Sequence, residues 1–126
     1  ELLRNVLTEE YNKGNYVIVG GDFNHALCGT VEAFASQQQV PEWVSVMEDK
    51  EIPEHFRIVE AKNTREVPTC RSTDMPYTKG VNYTAVLDGF IVSDNIEAEA
   101  VNYDADFMYS DHNPVIMTFK LKIKSV

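Results

Sequence analysis

The amino-acid sequence predicts an α/β (α+β) unit, one mixed β-sheet with flanking helices. Three features carry this expectation: an N-terminal helical period that runs into a block of strand-formers, a middle of short strand-like pieces between turns, and an alternating final segment. With 126 residues, 44% hydrophobic and 10% aromatic, the chain has the composition of one folded unit, residues 1–126, rather than of a disordered segment.

Leu2, Leu3, Val6, Leu7 and Tyr11 recur at helical spacing, with Arg4, Asn5, Glu9 and Glu10 on the other side. Residues 1–13 therefore read as an amphipathic helix, and Gly14 stands where a left-handed cap belongs. Tyr16 to Val19 is continuous in strand-formers rather than alternating, as in a strand buried on both faces. Thr30 can cap a second helix through Ala33, Phe34 and Ala35, with Glu32 in its first turn. Pro41 can open a further helical segment through Trp43, Val44 and Met47. Short strands are expected at Phe56 to Ala61, Pro68 to Arg71, Ala85 to Ser93 and Glu97 to Tyr103, with a turn at Tyr77-Thr78-Lys79-Gly80. In the last piece Val115, Met117, Phe119, Leu121 and Ile123 alternate with Ile116, Thr118, Lys120, Lys122 and Lys124, which predicts a strand with one core face and one lysine-studded face. No repeat, low-complexity tract or linker divides the chain.

Twenty acidic against eleven basic residues give a net charge of −9. That balance repels a phosphate backbone, so general nucleic-acid binding is disfavoured, whereas a metal-assisted phosphoesterase remains open because the ion reverses the local field. No apolar run approaches the ~18 residues of a membrane span. The opening residues lack the charged-then-apolar pattern of a secretion signal, so a soluble chain of unassigned compartment is expected. Cys28 and Cys70 lie far apart without CxxC spacing and read as two reduced thiols. Asn82-Tyr83-Thr84 fits a glycosylation sequon, a triplet common enough by chance to carry no weight.

Acidic and amide groups gather at strand ends in three places: Asp22 and Asn24 in "VIVGGDFNH", Asp88 in "AVLDGFIV", and Asp111 with His112 in "YSDHNPV". Taken singly, the first and third read equally as turns, since Asp and Asn side chains bond the nearby backbone and proline closes a turn. Asp88 differs, because it interrupts Ala85, Val86, Leu87, Phe90, Ile91 and Val92 and a buried carboxylate requires a partner. His112 can be that partner, its tautomer fixed by the carboxylate. Ser110-Asp111-His112 is no hydrolase triad, since consecutive residues diverge in direction. His25, His55 and His112 lack the spacing of an all-nitrogen zinc site. The remaining ligands are mostly oxygen, which suits magnesium, calcium or manganese.

Together and in this order, "GGDFN", "LDGFIVSDNI" and "SDHNPV" resemble the signature of the endonuclease/exonuclease/phosphatase superfamily, the deoxyribonuclease-I-like fold, across Asp22 to Pro114. "PTCRS" is similar to the threonine-containing strand that precedes the Asp88 segment in such enzymes. The resemblance implies a metal-dependent phosphoesterase that cleaves a phosphate mono- or diester by in-line attack of water, built as a four-layer αββα sandwich. It implies that Asp22 orients or deprotonates the water, Asn24 holds a phosphate oxygen, Asp88 pairs with His112, His112 sits on the phosphate, and Asp111 binds Mg (or Mn). The superfamily's first half also contributes a metal-binding glutamate preceded by glutamine, and no Gln-Glu pair occurs here. Glu48-Asp49-Lys50-Glu51 follows GDFN and reads as a solvated face.

The chain begins at Glu1, inside a helical pattern. It is accordingly expected to be the C-terminal half of such a domain, carrying half of the catalytic centre and binding metal poorly alone. One sheet of a sandwich would leave its inner apolar face open, to be covered by the other half or by a second copy. The acidic balance favours a phosphorylated small molecule or lipid headgroup over duplex nucleic acid as substrate. A non-catalytic module that retains the fold for binding is the alternative. Lys120, Lys122 and Lys124 read as a solvated face, and His25 has no assigned role.

Overall fold

In a computed structural model, the protein is described over residues 1–123 and is of α+β class, with one α-helix, a single 3-10 turn at Asp49–Glu51 and several small sheets among the described residues. Helix α1 spans Leu2–Asn12 and ends as the sequence predicts. Gly14 is left-handed (φ 85°), its N–H donates to the Tyr11 carbonyl (2.9 Å), and the Asn15 N–H donates to the Glu10 carbonyl (3.2 Å). This pair of bonds satisfies carbonyls that the helix end would otherwise orphan. The expected apolar face is only partly used, because Leu7 is buried while Leu2, Leu3 and Val6 are exposed. Tyr11 anchors the helix instead, stacking on His55 (ring centroids 4.6 Å apart) and donating its hydroxyl to Asp94 Oδ1 at 2.7 Å.

Nine strands follow among the described residues: β1 (Ile18–Asp22), β2 (His25–Ala26), β3 (Ser45–Val46), β4 (Phe56–Ile58), β5 (Cys70–Arg71), β6 (Thr84–Ala85), β7 (Asp88–Ser93), β8 (Ile96–Asn102) and β9 (Val115–Leu121). A three-stranded antiparallel sheet has the order β1-β7-β4, so the buried centre is β7. This corrects the expectation for the first strand, which begins at Ile18 and forms an edge of that sheet with most of its residues exposed. Gly20 faces Phe90 in register, and a Cβ on Gly20 would lie 2.6 Å from the Phe90 ring. Only glycine allows the aromatic ring to lie across the strand there.

The two predicted helices after Thr30 and Pro41 are absent from the described residues; both stretches form turns and the short strand β3. Thr30 is fully buried, and its hydroxyl donates to the Leu27 carbonyl at 2.7 Å and accepts from the Val86 N–H at 3.3 Å. Its side chain thus fastens this loop to the core instead of capping a helix. Beyond Pro41 the backbone turns once, through the Val44 N–H to the Pro41 carbonyl at 3.1 Å, and β3 then pairs in parallel with β2. Tertiary pairing has overridden local propensity in both places.

The expected strands otherwise appear with shifted ends. The run from Ala85 to Ser93 is split at Val86 and Leu87 into β6 and β7. The segment after β4 stays extended, with the Val59 N–H donating to Phe90 and a bridge between Ala61 and Ala100. That segment joins the β7 sheet to the β8–β9 pair, and Val59, Ala61, Val92, Ile96 and Ala100 form the core beneath it. A second core gathers Ala26, Cys70, Tyr83, Ala85 and Leu87 directly under the strand ends that carry Asp22 and Asp88. The alternation of β9 is realised at its start, where Val115 and Met117 pack on the first core, whereas Phe119, Leu121 and Ile123 remain exposed. Lys124 lies outside the described residues. Among the described residues no helix is long and apolar enough to cross a membrane.

Candidate active site

Three backbone pairings bring the acidic clusters together. Asp22, the last residue of β1, stands opposite Asp88, the first of β7, in the antiparallel register. β5 pairs with β6 on one side, and on the other it takes the SDHNP segment: Arg71 N–H donates to the Asp111 carbonyl (3.0 Å), Asn113 N–H to the Thr69 carbonyl (2.8 Å), and Cys70 bridges His112. Asn113 secures this segment further, since its amide donates to the Pro68 carbonyl (2.9 Å) and its Oδ1 accepts from the Phe107 N–H (3.2 Å). The turn that proline closes is thereby also a strand-like addition to β5.

The side chains converge accordingly. His112 Nδ1 donates to Asp88 Oδ2 at 2.8 Å, with Oδ1 at 3.1 Å, and this fixes the tautomer and the ring plane. Nε2 then faces the cleft, 3.8 Å from Asp22 Oδ2 and 4.0 Å from Asp111 Oδ2. The partner required by a charge in an apolar strand is therefore His112. Burial pushes the Asp88 carboxyl up, opposed by hydrogen bonds from His112 and from the Thr69 hydroxyl. Burial also works against a charged His112, but the bond to Asp88 and the charges of Asp88, Asp111 and Asp22 outweigh it and raise the imidazole.

Asn24 is left-handed (φ 52°), and its backbone N–H donates to Asp22 Oδ1 at 2.8 Å. The turn reading of GDFN holds: the Asx turn aims Asp22, and the Asn24 side chain has no hydrogen-bond partner among the described residues and lines the cleft. His25 is turned away, donating from Nδ1 to the Phe23 carbonyl at 2.8 Å. The cleft has a volume of about 860 Å³, and Asp22, Asn24, Asp111 and His112 line it while Asp88 lies behind His112.

Several residues here carry no motif of their own. Thr69, fully buried, accepts from the Leu87 and Asp88 N–H groups at 3.0 and 3.1 Å and so sets the bend where β7 begins. Cys70 Sγ lies 3.8 Å from His112 Nε2, and burial, with the charges of Asp88, Asp111 and Asp22, pushes its thiol up to about 12. It stays protonated and is no nucleophile. Arg71 also lines the cleft; it has no carboxylate partner among the described residues, and its Nε is buried without a hydrogen bond. The only sequence signal for these three is their place in "PTCRS". Asn82 of the sequon is fully buried, with its amide turned into the structure.

Asp22, Asp88 and His112 offer ligand atoms all within 4.8 Å of one another, with the Asp111 carboxylate adjoining. Like charges directly opposite across two strands repel, so Asp22 facing Asp88 calls for a cation nearby. A single imidazole, His112, stands among the three carboxylates. The remaining oxygen donors fit a hard divalent cation. No family model matches the chain, and neither a curated protein nor a solved structure matches it.

Proposed function

We infer that the protein is a metal-dependent phosphoesterase of the endonuclease/exonuclease/phosphatase kind, hydrolysing a phosphate mono- or diester. The observation that carries this reading is the posture of His112: Nδ1 is held by Asp88 while Nε2 opens toward the Asp22 and Asp111 carboxylates in the same cleft. Asp22, on its Asx turn, takes a proton from the attacking water. His112, charged and held, stabilises the negative charge that develops on the phosphoryl oxygens as the ester oxygen leaves on the far side. The unpartnered Asn24 amide and the Arg71 guanidinium are donors for the non-bridging oxygens.

A divalent cation, Mg or Mn, held by Asp111 with Asp22 adjoining, would supply charge neutralisation at the phosphate when bound. The resemblance implies a further ligand, a glutamate preceded by glutamine, and no Gln-Glu pair occurs in this sequence. The same reading makes the small sheets one half of an αββα sandwich, supported by the apolar residues that stand open on α1 and β9. A phosphorylated small molecule or lipid headgroup suits the acidic chain better than duplex nucleic acid.

The test is magnesium-dependent hydrolysis of mono- and bis-nitrophenyl phosphate by the full-length protein. Asp22→Ala and His112→Ala each lower the rate on the order of 10² or more. Rates unchanged in both variants overturn the reading.

A further inference from the structure

The cleft is far larger than a phosphoryl group requires, and the wall beyond Asp22 and His112 is made of Gln38, Gln39, Pro41 and Trp43. Trp43 is the chain's single tryptophan and is 55% exposed. Its indole stacks on no ring and makes no hydrogen bond among the described residues. A large aromatic face left open in a polar cleft is free to stack on a flat ring that enters it.

We propose that Trp43 is the stacking platform for a planar heteroaromatic ring, a nucleobase, on the phosphoester that this cleft takes. This rests on the phosphoesterase reading for the phosphate and on the wall alone for the ring. Two amide side chains, Gln38 and Gln39, line the cleft together with Trp43. Gln38 is consumed by the fold: its Oε1 accepts from the Ser72 hydroxyl and the Tyr83 N–H, both at 2.6 Å, and its Nε2 donates to Asp74 at 3.0 Å. Gln39 keeps a free carboxamide, having no hydrogen bond among the described residues. One donor and one acceptor in a fixed plane match one edge of a base. Stacking on an aromatic face tolerates any base, so the platform selects for a flat ring rather than for its identity.

Because Trp43 is the only tryptophan, its emission reports on the wall without any turnover. The probes, titrated in magnesium, are a non-hydrolysable phosphonate analogue of AMP, adenosine, inositol monophosphate and inorganic phosphate. The AMP analogue quenches Trp43 saturably, while inorganic phosphate and inositol monophosphate do not. By calorimetry Trp43→Ala binds the AMP analogue about tenfold more weakly and Trp43→Phe retains most of the affinity. Quenching by inositol monophosphate equal to that by the AMP analogue, or unchanged affinity in Trp43→Ala, overturns the platform. Adenosine that quenches as strongly as the AMP analogue keeps the platform and removes the phosphate subsite, so the two readings fail separately.

Discussion

Thr69 holds the site from beneath. Its hydroxyl oxygen accepts the N–H groups of two successive residues, Leu87 and Asp88, at the point where the chain leaves β6 for β7, and the hydroxyl also reaches the Asp88 carboxylate. Thr69→Val keeps the shape and removes the acceptor, leaving buried donors without partners. The expected loss is about 1–3 kcal/mol in urea unfolding, and Thr69→Ser, which restores the oxygen, recovers most of it. A Val variant as stable as the parent would show that the bend is held by packing alone. At this scale the sequence was legible where physics demanded a partner: Asp88 in an apolar run implied one, and His112 is bonded to it. On Thr69 and Arg71 it offered only their place in "PTCRS", and Trp43 stood in an expected helical segment, because a threonine, an arginine or a tryptophan breaks no local pattern and takes its surroundings from the segments that pairing sets beside it.

Elements follow the same division. The end of α1 and the existence of β8 and β9 could be read from capping and alternation, which are local. The helices expected after Thr30 and Pro41 failed because the Thr30 hydroxyl turns back to Leu27 and is claimed by Val86, and residues 45–46 by β2; the Val86 and β2 contacts are of long sequence separation, which periodicity does not encode. The docking of α1 is likewise nonlocal and depends on Asp94, in the turn between β7 and β8. Asp94 is held below the ordinary carboxylate value of 3.8 by the Tyr11 hydroxyl first, with weak burial opposing and His55 adding. A carboxylate with a lowered folded-state value stabilises the fold above its unfolded value, and that contribution is lost as pH falls through the lower folded value. The thermal midpoint of the parent protein therefore exceeds that of Asp94→Asn above pH 3.8, and the two curves meet in more acid solution. Amide exchange in α1 should follow the same course, faster in the variant at neutral pH and equal in acid. Curves that stay parallel throughout the acid range would assign the helix contact to packing of Tyr11 on His55 alone.

The whole molecule carries a net charge of −9, and part of that excess is concentrated at one end of the β1-β7 pair. Asp22, Asp88 and Asp111 face a single imidazole there, so the folded state gathers carboxylates that the unfolded chain holds apart. Self-repulsion of this kind destabilises the compact form, and a cation that binds the folded cleft and not the unfolded chain reverses the effect. Magnesium or manganese should therefore raise the thermal midpoint more than sodium chloride of equal ionic strength, since monovalent salt screens the charges without being held by them. At a cation concentration one hundred times the dissociation constant the gain is about 2.7 kcal/mol, and chelation removes it. Asp22→Asn and Asp111→Asn give up much of the cation-dependent gain while raising the metal-free midpoint, because each relieves repulsion and removes a ligand at once. That opposed pair of changes separates a metal centre from a merely acidic surface: screening alone would shift parent and variants by the same amount in either salt.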